Sequence, residues 1–172
     1  MNGKIIGGFL VLSGVIAGAA MYYLQVYAFY DDVSDTTATV ELTTVAGRAP
    51  EAILADTIAA IDADSSPLRC RACFETPMNQ AMLTETYALY DGAVPLNAPG
   101  WFDCFDADAI GAALESGTAL AFLGTENIVY GIDRVVAITD TGRGYVWHQI
   151  NACGEEVFDG RPAPEGCPEP SQ

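Results

Sequence analysis

From Ile5 to Leu24 the chain reads IIGGFLVLSGVIAGAAMYYL, twenty residues without a charged side chain. As an α-helix rising about 1.5 Å per residue, such a run crosses the roughly 30 Å hydrocarbon layer of a bilayer. A lone span finds no water there for its backbone polar groups, so helix is the one conformation that satisfies them. Gln25 is the first strongly polar side chain, and Tyr22, Tyr23, Tyr27, Phe29 and Tyr30 place amphipathic rings where the helix meets the headgroups. Lys4 precedes the run and Asp31 and Asp32 follow it, so the positive-inside rule predicts a cytoplasmic amino terminus and an exported remainder. The rival reading is a cleaved signal peptide, for which Ala17-Gly18-Ala19 supplies small residues at the spacing of a cut. An anchor is favoured because the apolar run continues into an aromatic stretch. Gly14 and Gly18 form a small-xxx-small pair on which a second helix can approach closely.

Residues 1–30 are therefore read as a membrane anchor, leaving about 140 residues, enough for one domain with its own core. All 23 acidic residues lie at or beyond Asp31, against six arginines there. Such a surface repels phosphate backbones, which excludes DNA and RNA as partners. An acidic, Thr-rich stalk (31–39) leads into a domain over 40–152, followed by a Pro/Gly-rich tail (153–172) read as turns.

Within the domain, Val40–Val45 suits a strand, and Glu51–Ile61 is ambiguous between helix and strand. DADSSP (62–67) is a turn, and Leu68–Phe74 alternates like a half-buried strand. Met78–Leu83 reads as a short helical turn and Glu85–Tyr90 as strand-like. The clearest helix follows Asp106 as N-cap and stops at Gly117, with Ile110 and Leu114 on its apolar face. Thr118–Leu123 reads as a buried strand, and Ile132–Thr139 and Tyr145–Ile150 flank Asp140–Gly144 as a hairpin. The fold class expected is α+β: a transmembrane helix, then one small disulfide-bonded domain with mainly antiparallel strands.

Five cysteines in an exported domain call for disulfides and leave one thiol over. Strand alternation sets Cys70, Ala72 and Phe74 on one face and Arg71 and Cys73 on the other, which marks Cys70 as a buried free thiol. Cys73 then needs a distant partner, and Cys104 lies beside Trp101 and Phe102. Cys153 and Cys167 close a loop too poor in apolar residues to fold by burial, a closure worth about 3 kcal/mol in the chain-entropy model.

Chemistry-bearing patterns are few. Cys70-Arg71-Ala72-Cys73 has redox spacing, but it lies in strand-like sequence instead of at a helix start, and Phe74 stands where haem attachment needs His. His148 is the only histidine, so sites with two His ligands are excluded, and no G-x-S-x-G elbow supports a Ser-His-Asp site. The calcium-loop-like start at Asp62 fails at Pro67, and Asp103, Asp106 and Asp108 read as capping of the helix that follows. No phosphate-binding loop is present, so nucleotide chemistry has no support, and no cofactor is expected. Trp101, Phe102, Tyr130 and Trp147, with His148, are the candidate walls of a ligand pocket.

The opening thirty residues, together with DADSSP, RACF, APGWFDCFDA, YGIDRV and WHQI, resemble a family of small alphaproteobacterial membrane-anchored proteins of unknown function. The resemblance implies a bacterial inner-membrane address with a periplasmic domain and supplies no catalytic residues. Some members are labelled histidine kinase, which this chain does not support: it has no ATP-binding glycine boxes, and His148 lies in strand-like sequence. The function expected is a non-catalytic accessory or scaffold protein contacting a partner in the cell envelope. An exported ligand-binding or sensory domain is the alternative, and an envelope hydrolase or thiol oxidoreductase ranks third.

Overall fold

The computed structural model describes residues 3–35 and 39–169; the middle of the expected stalk (36–38) and the end of the tail (170–172) lie outside the described residues. The N-terminal unit is one helix, α1 (Gly3–Val26), none of whose side chains is buried. Its 24 residues give it the length and composition of a membrane anchor or a signal sequence alike. A methyl group added at Gly14 or Gly18 would meet nothing within 4 Å.

The second unit is built on a six-stranded sheet. In chain order its elements are β1 (Asp31–Asp32), β2 (Val40–Thr43), β3 (Pro50–Ile53), β4 (Asp56–Asp62), β5 (Arg71–Glu75), α2 (Gln80–Thr86), α3 (Ala107–Ser116), β6 (Ala119–Val129), β7 (Ile132–Thr139), β8 (Arg143–Ile150) and α4 (Ala152–Phe158). The sheet order is β1-β4-β5-β8-β7-β6, antiparallel from β4 to β6, while β2 and β3 form a separate hairpin. Both edges are occupied by short irregular segments. Val33 donates its N–H to the Ala60 carbonyl, and Ala88 and Tyr90 exchange backbone bonds with Leu123 and Ala121 of β6. Blocked edges of this kind keep a sheet from pairing with another chain.

Each face of the sheet carries its own core, because alternate side chains point opposite ways. Ala72, Phe74, Val136, Ile138, Val146 and Phe122 face the β2–β3 hairpin (Val40, Leu42, Ile53) and α2 (Leu83). Cys73, Val135, Ala137, Trp147 and Ala121 face Phe105 and α3 (Ile110, Leu114). Gly144 belongs to this packing, since a Cβ there would lie 2.1 Å from the ring of Phe74, its register partner on β5.

Several sequence expectations change. Glu51–Ile61 resolves into two strands, its alanines serving the packed sheet instead of a helix. The alternation of Leu68–Phe74 suits a half-buried strand, but β5 is central and covered on both faces. Glu85 and Thr86 complete α2, and the strand-like run after them makes only isolated bridges. The tail holds a helix, α4, whose N-cap Asn151 accepts from the N–H groups of Cys153 and Gly154. In α3 the Asp106 side chain accepts from Ala109 N–H, and Gly117 ends the helix with φ at 76°.

Candidate functional site

Between β5 and α3 the backbone from Asp91 to Phe105 has almost no regular structure, so its polar groups must find partners elsewhere. Adjacent strands supply them. Arg71, buried on β5, donates through Nε to Leu96 O (2.8 Å), through Nη2 to Asn97 O (3.2 Å) and through Nη1 to Leu68 O and Cys70 O. Its guanidinium also lies 5.7 Å from the centre of the Phe105 ring. Gln149 on β8 accepts from Val94 N–H (2.7 Å) and donates to Gly92 O (2.9 Å). Cys73 is bonded to Cys104, Cα–Cα 6.3 Å. Two polar side chains and one covalent bond thus fasten the loop over the sheet.

A second polar group sits one residue beyond the register pairs Ile61–Arg71–Trp147. Continuing the register sets Asp62, Cys70 and His148 side by side, with Arg134 facing His148 from β7. Arg134 Nε donates to His148 Nε2 (3.1 Å), and His148 Nδ1 donates to Pro67 O (2.6 Å), which fixes a neutral imidazole protonated on Nδ1. Burial is the main cause of a lowered His148 pKa and Arg134 adds to it, against the Pro67 carbonyl and Asp62. Burial, reinforced by Asp62, pushes the Cys70 thiol up to about 11, so it stays protonated at neutral pH.

The sign of the His148 effect follows from linkage. An unfolded histidine takes a proton near pH 6.5, the folded one only lower, so stability is fully present above about 6.5 and declines as pH falls toward the folded pKa. Urea unfolding between roughly pH 7.5 and 5.5 is expected to show a steeper loss for the native chain than for His148→Gln. Equal slopes would contradict it.

Asp133 is buried among side chains that all donate to it: Asn151 Nδ2 (2.7 Å) and Tyr90 OH (3.2 Å), with Asn127 N–H at 2.8 Å. Burial, then the Asp133 charge, drives the Tyr90 hydroxyl pKa upward and keeps it a donor. This network joins the β6–β7 turn to α4, where Gly131 and Gly154 pass so closely that a Cβ on Gly131 would lie 2.6 Å from Gly154 Cα. Cys153 of α4 is bonded to Cys167.

An open cleft of about 500 Å³ lies at the opposite end of the sheet and is lined by Asp56, Glu75, Thr76, Pro77, Thr141, Gly142 and Arg143. Asp56, Glu75 and Arg143 are consecutive register partners across β4, β5 and β8. A register shift between Asp56 and Ala59 makes this possible, since unbroken pairing would set Thr57 opposite Glu75 and turn Asp56 to the other face. Thr57 carries the distortion with φ at 54°, a left-handed conformation that costs a β-branched residue roughly 1–3 kcal/mol.

The candidate pocket walls do not converge. Trp147 is fully buried, edge-on to Phe105 at 6.3 Å, and belongs to the core. His148, next along β8, points to the other face, as strand alternation requires, so the two cannot line one cavity. Trp101 and Phe102 contact each other edge-on in the fastened loop. Tyr130 sits in the β6–β7 turn, its buried hydroxyl without a hydrogen bond among the described residues. Cys70 and Cys73 also face apart, and three residues along a strand set their Cα atoms about 10 Å apart, beyond disulfide reach. Sequence reading missed Asp56, Glu75 and Arg143, because only the register shift unites them. Arg71, an arginine inside an apolar alternating run, is the signal by which the fastened loop could have been found.

Residues 40–168 match the model of a family of unknown function. No curated protein and no solved structure matches the chain.

Proposed function

The chain belongs to that family, DUF6446, and from this premise we propose that it is a non-catalytic accessory protein of a bacterial inner membrane. In this reading α1 is the anchor and the periplasmic domain offers an acidic surface to a basic partner in the envelope. The observation that carries the reading is how the domain uses its cations. Arg71 serves four backbone carbonyls, Arg134 serves His148, Arg161 pairs with Glu156 and Asp159, and Arg48 lies 3.9 Å from Glu126. Among the described acidic residues only Asp133 is buried, so the carboxylates stay outside where a Lys- or Arg-bearing surface meets them. The buried Cys70 thiol and the disulfide on Cys73 fit a structural role for the sulfurs better than thiol exchange.

Co-purification after mild detergent extraction at native expression tests the reading. A stoichiometric partner is expected, and its yield should fall several-fold at about 0.5 M salt, where exposed charges are screened. Replacing Gly14 and Gly18 by Leu should also lower the yield if the anchor takes part in the contact. Repeated recovery of the chain alone would contradict the proposal. A second reading, capture of a small ligand, is favoured by the charged cleft at Asp56, Glu75 and Arg143.

A further inference from the structure

The cleft concentrates two unfavourable features at one place. Asp56 and Glu75 are like charges set directly opposite each other on neighbouring strands, an arrangement that destabilises a sheet. It exists only because the register shifts at Thr57, whose left-handed backbone is itself strained. Regular pairing would remove both costs by turning Asp56 to the opposite face. Glu75 and Arg143 are register partners as well, yet they form no ion pair within 4.0 Å among the described residues. All three charged side chains belong to exposed residues around an open space of about 500 Å³, a size that suits a small organic molecule.

We propose that this cleft is a binding site for a small zwitterion of the α-amino-acid type, its ammonium held between Asp56 and Glu75 and its carboxylate on Arg143. The inference deepens the ligand-capture reading and depends on it. Two adjacent carboxylates attract a group with several N–H donors, and an ammonium offers three. Bringing it between them also removes the repulsion that the fold maintains. Arg143, one strand away, presents a planar fork matched to a carboxylate. A bare metal ion is a poor occupant, because the same guanidinium would repel it. A polyamine would satisfy the carboxylates and leave Arg143 without a role, so opposite charges close together on one molecule fit the row best.

The test is calorimetric titration of the full chain in detergent micelles with each of the common free α-amino acids, with putrescine and acetate as single-sign comparisons. At least one amino acid is expected to bind at concentrations below about 1 mM. Glu75→Gln and Arg143→Gln should each weaken that binding at least tenfold with the fold intact, the ligand-free melting temperature rising slightly in Glu75→Gln, where the repulsion with Asp56 is gone, and changing little in Arg143→Gln, an exposed position. Putrescine binding as tightly as any amino acid, with Arg143→Gln without effect, would overturn the zwitterion assignment and leave the cleft a ligand site. Binding unchanged in both variants, or no binding by any probe up to about 10 mM, would overturn the assignment and the ligand-capture reading together.

Discussion

Trp147→Ala is expected to cost about 3–5 kcal/mol of folding stability, the largest loss expected of any single truncation in the domain. Trp147 is fully buried between Phe105 and the sheet, in the cluster that also holds Cys73, Val135 and Ile110. Its indole is hemmed in by β-structure, by α3 and by a loop fastened through Arg71 and Cys104, so the surroundings have little freedom to collapse into the space. The cost therefore includes most of the cavity term as well as the lost transfer energy. For a domain of this size the loss lowers the melting temperature by roughly 10–15 °C. Urea unfolding of the full chain in micelles measures it; a change below about 1 kcal/mol would mean that Trp147 is not the centre of that core.

Arg71→Met is expected to cost about 3 kcal/mol. Methionine keeps much of the stem's packing but removes the donors that serve Leu96, Asn97, Leu68 and Cys70, leaving carbonyls under a covered loop with no partner on β5. The damage should be local as well as global. Amide exchange in residues 91–100 is expected to accelerate far more than in β7, whose bonds to β6 and β8 do not involve Arg71. Uniform acceleration across the sheet would show that Arg71 acts through the core instead of through the loop.

Local rules made part of this architecture readable in advance. Asp106 and Gly117 bracket α3 because a capping carboxylate and a left-handed glycine act within one turn of chain. The β7–β8 hairpin follows from two β-branched runs around Asp140–Gly144. Alternation along β5 is enough to separate Cys70 from Cys73, and in the structure Cys73 is joined to Cys104 while Cys70 is a buried thiol. What could not be read depends on distant parts of the chain. The alanines of β4 are strand residues because Ala60 faces Ala72 in a crowded sheet, a tertiary circumstance that overrides helix propensity. Helix α4 forms where Pro and Gly suggest turns, since Asn151 caps it and the Asp133 network anchors it. The cleft is hidden for the same reason: a one-residue shift at Thr57 decides which face Asp56 takes, and no periodicity announces such a shift. The aromatic residues are conspicuous by type, yet Trp147 goes to the core and His148 to the other face.

The proposed role requires α1 to stay attached to a domain whose sulfurs oxidise outside the cytosol. The most direct test extracts the chain from its native membrane, denatures it, alkylates it without reduction and weighs it whole. The predicted mass is that of a chain retaining α1 and carrying one alkyl group, on Cys70. Alkyl groups on all five cysteines, or a chain cut after Ala19, would contradict it.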